Sequence, residues 1–300
     1  MFQEIALEPS LLRDWRDFRF FISQFGATQG RFISRYPSAW RRMVFEAAEG
    51  LSELDFQRVQ EMMSDIESRL LPRLHNWSQS KEWISNAVDE HQVRPFHAIV
   101  ASSNPTNESI VICSDAIIPG SKNSPELWNA RRSIHVKRTD TDMASCVSLL
   151  LRSCRWVVFI DPHFDPGERR FTAPLRAFLK EIASRHAQAA SVTKIEYHLS
   201  NKNKDLVGFK RNLNQWIKPV LPNAAKLTFV RWNIDELHNR YLITDRGGVS
   251  FLTGLDLDDS VPPTEDVVTI LDDETCATLL KDHSAISTRL TWLEDTIELN

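Results

Sequence analysis

Three hundred residues, 42% hydrophobic and 25% charged, are enough to bury the cores of two domains, and a formal net charge of −4 excludes a global pull toward nucleic acid or anionic lipid. There is no run of about 18 apolar residues, and Met1-Phe2-Gln3-Glu4 lacks the basic region and apolar core of a signal peptide, so the expected location is cytoplasmic. Cys113, Cys146, Cys154 and Cys276 have no metal-type spacing and read as ordinary buried thiols in a reducing compartment.

From residue 9 to about 90 the periodicity is helical. Leu11, Leu12, Trp15, Phe18, Ile22 and Phe25 recur at three- and four-residue steps, with Gly26 as a stop. Trp40, Val44 and Ala47 predict a second helix after Pro37, residues 52 or 53 to 71 a third, and residues 74 to 88 a fourth. The expectation is a small helical module over residues 1–91 followed by a second domain over residues 92–300. Between residues 13 and 42 this module carries Arg13, Arg16, Arg19, Arg31, Arg35, Arg41 and Arg42 against only Asp14 and Asp17. With Tyr36 and Trp40 interleaved, Arg31, Arg35, Arg41 and Arg42 read either as a nucleic-acid phosphate surface or as a solvated helical face.

Residues 96–101 and 109–113 read as two strands across the polar turn Asn104-Pro105-Thr106-Asn107, and residues 119–125 as an exposed loop. A short helix at Leu127 and Trp128, a strand over 133–138 and a helix over 141–152 follow. Arg155 to Asp165 is an apolar run with a polar end, the pattern of a central parallel strand whose carboxyl end is functional. Helices over 174–185 and 207–216 alternate with strands over 192–199 and 226–232, which specifies an α/β fold with a largely parallel core. The acidic segment 256–274 reads as a solvated loop or a cation site. It matches no calcium loop and is interrupted by Pro262-Pro263. Residues 267–271 read as an edge strand and 276–293 as a closing helix.

Residues 236–256 read as two short strands joined by the turn Arg246-Gly247-Gly248, with His238, Arg240 and Leu242 on one face. An imidazole beside a fixed cation suits attack on a phosphodiester: one group takes the phosphoryl, the other neutralises its oxygens. The spacing His238-x-Arg240-(four residues)-Asp245 resembles the HxK(x)4D signature of the phospholipase D superfamily. It is closer still to the phospholipase D-like domain that ends certain eukaryotic microtubule-interacting-and-transport (MIT) proteins, where His-x-Arg is likewise followed by a glycine turn and Gly-Leu-Asp, here Gly254-Leu255-Asp256. The resemblance spans roughly residues 145 to 285.

It implies a phospholipase D-like α/β/α sandwich, a phosphohistidine on His238, Arg240 on the non-bridging oxygens and Asp245 orienting the hairpin. It also implies a second histidine as general acid, and so a homodimer meeting at a symmetric site. Thr253, Asp256 and Glu236 are expected to bind substrate, with Asp161 and His163 joining them at the neighbouring strand end unless Asp161 only caps its loop. Two positions depart from the family pattern. Arg240 replaces a lysine, and Asp256 replaces an asparagine, placing a negative charge beside an anion site. His135 to Asp142 also fits HxK(x)4D and would supply a second half-site in the same chain, although a helix is expected to follow it where the family has a returning strand.

The function these features imply is a metal-independent, cofactor-free phosphodiesterase of nuclease type. The alternatives are an inactive module of the same fold that binds a phosphorylated ligand, a lipid headgroup or a protein partner, and a purely structural adaptor whose helical module does the work. Bacterial proteins of this type with a helical module in front resemble components of phage-defence and stress islands, which implies a defence-system partner. Gly-rich phosphate loops, zinc spacings and a Gly-x-Ser-x-Gly elbow are absent from the sequence.

Overall fold

A computed structural model describes residues 1–118, 123–185, 189–203, 205–223, 225–233, 236–283 and 296–299. The chain divides into two compact units, Phe2–Arg131 and the chain from Arg132 onward. The boundary therefore lies some forty residues beyond the one expected near residue 91, because Ala98–Ala101 (β4) lies in the same sheet as the first strand, Gln3–Leu7 (β1). Four of the seven residues of the loop expected over 119–125 lie outside the described residues.

The N-terminal unit is not an all-helical module. Arg31–Ser34 (β2), Leu70–Leu71 (β3) and Val111–Cys113 (β5) join β1 and β4 in a parallel five-stranded sheet of order β3-β2-β1-β4-β5. The two strands expected to face each other across residues 104–107 run parallel. The strands are short, and β2 and β4 are buried at every residue, so neither shows the polar alternation that would betray it. Helices Trp15–Ser23 (α1), Trp40–Ala47 (α2), Glu53–Ser64 (α3) and Trp83–Val93 (α4) are interspersed among them. Asp14 caps α1 by accepting from the backbone N–H groups of Arg16 (2.8 Å) and Asp17 (3.4 Å).

Of the arginines expected to form a surface here, Arg13, Arg16, Arg19 and Arg42 are exposed, while others are engaged within the unit. Arg31 is buried, stacks 4.5 Å over Trp128 and donates to the Trp128 carbonyl at 2.7 Å. Arg41 pairs with Glu67 at 2.7 Å and donates to the Met63 carbonyl, and Arg42 pairs with Glu46 one helical turn on. Arg35 is half-buried, with its Nε enclosed.

The C-terminal unit is mixed α/β. Among the described residues its strands are Ser133–Lys137 (β6), Trp156–Ile160 (β7), Lys194–Ser200 (β8), Leu227–Trp232 (β9), Arg240–Thr244 (β10), Gly247–Phe251 (β11), Glu265–Ile270 (β12) and Thr296–Leu299 (β13), in the order β13-β9-β8-β7-β10-β11-β12-β6. Among the described strands only β7, β8 and β9 are mutually parallel, and the other pairings are antiparallel. Its described α-helices are Asp140–Cys146 (α5), Ser148–Ser153 (α6), Arg169–Ala183 (α7), Leu206–Trp216 (α8) and Asp273–Asp282 (α9).

On one face Phe159, Tyr197 and Phe229 stack in a row, met by Phe178 of α7 and Phe209 of α8. On the other, Val158, Val230, Trp232 and Ile243 cluster with Cys276 of α9. Residues 267–271, read from sequence as an edge strand, lie mostly within β12, which is paired on both sides. The cysteines are free thiols, and burial pushes Cys146 and Cys154 up to about 12 and Cys276 to about 11. Of the closing helix expected over 276–293, the described part ends with α9 at Asp282. No helix among the described residues is long and apolar enough to cross a membrane.

Candidate functional site

Register collects the site. Tyr241 pairs antiparallel with Ile160, so the start of β10 lies beside the carboxyl end of β7. Arg240 pairs with Phe251, which brings the end of β11 to the same edge, and Glu265 pairs with Lys137, which brings the end of β6 there too. Arg138, Asp161, His163, Arg240, Thr253 and Asp256 all follow or precede these strand ends, at the edge where open α/β sheets hold ligands. The first turn of α7 adds Arg170.

Arg138, His163, Arg170, Arg240, Thr253 and Asp256 line a groove of about 470 Å³. A second cavity of about 540 Å³, which includes Lys202 and Asn203, shares His163 and Arg170 with it.

Asp256 does not oppose an incoming anion as an isolated charge. Its Oδ1 accepts from Arg138 Nη2 at 2.7 Å and its Oδ2 pairs with Arg170 Nη2 at 2.7 Å, with the carboxylate itself about a tenth exposed. A Cβ at Gly254 would run into this carboxylate, which is why the backbone is bare two residues before it. Arg240 donates to its own chain at the His238 carbonyl, 3.2 Å away, and its Nε is enclosed without a partner.

Asp161 is 1% exposed and acts on backbone: Oδ1 accepts from the His163 N–H at 2.9 Å and Oδ2 from the Leu255 N–H at 3.3 Å. Burial raises its pKa, and the Asp256 charge adds to the rise, while the His163 N–H, Arg240 and the Leu255 N–H oppose it. One carboxylate thus ties the loop after β7 to the loop after β11. Thr253 is exposed at the groove, its N–H donating to Asp266 Oδ1 at 2.9 Å.

The sequence motif is divided by the fold. His238 is exposed in the segment before β10, which begins only at Arg240, so the face expected to carry His238 with Leu242 is not formed by the strand. Asp245 lies past the other end of β10, roughly 16 Å from Arg240 for a five-residue strand. There it accepts from the Arg155 backbone N–H at 2.7 Å and from Arg155 Nε at 3.2 Å. Glu236 is half-buried with Oε2 enclosed, and it is not among the residues lining either cavity.

His135 is exposed on β6 beside Glu265 (3.6 Å) and is separated from β10 by β11 and β12. Asp142, the last residue of that second match, sits in the first turn of α5. His135 therefore forms no half-site next to Arg240.

Arg138 and Arg170 belong to the site although spacing gave no hint of either. Each stands just outside or just inside an element end, and only the pairing of β6 with β12 brings Arg138 across. In the acidic segment Asp258 accepts from Ser260 N, Thr264 N and Thr264 Oγ1, bonds that hold its carboxyl far below the ordinary range. Among the described residues no three of His, Cys, Asp and Glu form a group able to hold a metal.

No family model matches the chain, and no curated protein matches it. Among solved structures it is similar to TrmBL2, an archaeal chromatin protein described as showing a novel mode of DNA binding. The identity is 16%, over 50% of this chain and 49% of that one, with a TM-score of 0.27. The chain spans about half the length of that protein, and a likeness at this level carries no argument about the site.

Proposed function

We propose that the C-terminal unit is a phospholipase D-like phosphodiesterase that cleaves nucleic acid without a metal, with His238 as the nucleophile. The observation that supports this most is the position of Arg240. It opens on a groove that also holds Arg138, Arg170 and His163, with His238 two residues before it at the same edge of the sheet. In this reading His238 takes the phosphoryl group, and Arg240, with the field of the other two guanidinium groups, neutralises the phosphoryl oxygens. Asp245 holds the hairpin from its far end through Arg155.

A second reading, an inactive module that binds a phosphorylated ligand, is favoured by a different observation. The His238 side chain is exposed and is not among the residues lining the groove.

Hydrolysis of DNA, RNA and bis-p-nitrophenyl phosphate in EDTA separates the two. The phosphodiesterase reading expects turnover that survives chelation, disappears in His238→Ala and falls about 100- to 1,000-fold in Arg240→Ala. Wild-type protein that hydrolyses none of the three but binds inorganic phosphate saturably, with binding lost in Arg240→Ala, establishes the second reading.

A further inference from the structure

Cleavage through a phosphohistidine needs a proton for the departing oxygen, and the sequence motif supplies one imidazole. His135 is too remote, three strands from Arg240 across the sheet. The carboxyl groups at the groove are committed elsewhere. Asp256 spans two guanidinium groups, Asp259 pairs with Arg169 at 3.1 Å, and Asp258 accepts three hydrogen bonds.

His163 remains. It lines both cavities together with Arg170, and its ring is exposed. Its backbone is pinned by Asp161, which also holds the Leu255 N–H, so the loop carrying His163 keeps a fixed position relative to the loop carrying Thr253 and Asp256.

We propose that His163 is the proton donor to the leaving-group oxygen, so that one chain completes the site without a second copy. This rests on the phosphodiesterase reading above. In the first step the His238 nitrogen bonds to phosphorus as the bond from phosphorus to the leaving oxygen breaks. The electron pair departs on that oxygen, which receives its proton from the His163 imidazolium. In the second step water bonds to phosphorus, the phosphorus–nitrogen bond returns its electron pair to His238, and neutral His163 takes the proton released by water. Both imidazoles end as they began.

The experiment compares two aryl phosphodiesters that differ only in leaving group: p-nitrophenolate, which departs without a proton, and phenolate, which is more basic. On full-length protein, His163→Ala and His163→Asn are each expected to lower kcat/KM about 100-fold or more for the phenyl ester and only a few-fold for the p-nitrophenyl ester. Mixing His163→Ala protein with His238→Ala protein is expected to restore nothing, because neither chain then has both imidazoles.

Equal losses on the two esters, or no loss on either while hydrolysis still depends on His238, overturn the assignment of His163 alone. Recovered activity on mixing overturns completion within one chain, since the donor would then reach across from a partner. Wild-type protein inactive on both esters overturns the phosphodiesterase reading and this inference with it.

Discussion

Removing the negative charge of Asp256 would, on charge alone, help an anion enter the groove. The geometry reverses that expectation. Arg138 and Asp256 are both largely buried, and taking away one member of such a pair leaves the other desolvated without a counter-charge. Asp256→Asn is therefore expected to cost about 1–3 kcal/mol of stability, read as a lower urea midpoint at unchanged slope, and to weaken phosphate binding because Arg138 and Arg170 lose their anchor. Tighter binding with undiminished stability would show that the clamp holds nothing in place.

Asp161 gives a second test at this scale. Its folded pKa is raised, chiefly by burial, so its contribution to stability is fully present below the ordinary carboxyl range and is lost as pH rises through the raised value. Thermal melting of wild type against Asp161→Asn across that window is expected to show a decline with rising pH in the wild type that the variant lacks. Parallel curves would mean that the carboxyl titrates as it does in the unfolded chain.

The hairpin of β10 and β11 shows what an element adds to a motif. The turn itself is Asp245-Arg246, so both glycines expected in it lie in β11, with Gly247 at φ +146° as the strand's first residue. Yet the turn lies at the opposite end of the strand from Arg240, so Asp245 supports the hairpin and does not touch the groove. Asp245→Ala is expected to lower stability by about 0.5–1.5 kcal/mol, since the Arg155 N–H exchanges its carboxylate partner for water, while leaving phosphate affinity within a few-fold. A loss of affinity without a loss of stability would put Asp245 back among the ligand-binding residues.

The same contrast explains what could be read in advance. The apolar run of β7, the amphipathic α7 and α8 and the existence of the β10–β11 hairpin announce themselves by periodicity and pattern, and the alternation of strands and helices gave the mixed α/β class of this unit. β1, β2 and β3 did not, because short strands covered on both faces look like fragments of the helices around them. Arg138 and Arg170 were invisible for a different reason. What makes them site residues is register between segments far apart in sequence, and no local pattern encodes that.

At the scale of the whole molecule, the two units have separate sheets, and every residue of the candidate site lies in the second. A fragment beginning at Arg132 is accordingly expected to fold and to bind phosphate as the full chain does, measured by circular dichroism and titration calorimetry. A fragment beginning near residue 92 would carry β4 and β5 stripped of β1 and is expected to aggregate. If the longer fragment proves the soluble one and the shorter does not fold, the division at Arg131 is wrong.

The sheet of this second unit opens with a strand whose partner is made more than a hundred residues later. During synthesis Lys137 leaves the ribosome early and must wait for Glu265, so β6 has no partner until nearly the whole unit has emerged. Arg138 waits similarly for Asp256. For most of its time as a nascent chain the unit carries unpaired guanidinium groups and an uncovered strand, a period in which chaperones, or any polyanion nearby, meet a surface that the finished protein has closed.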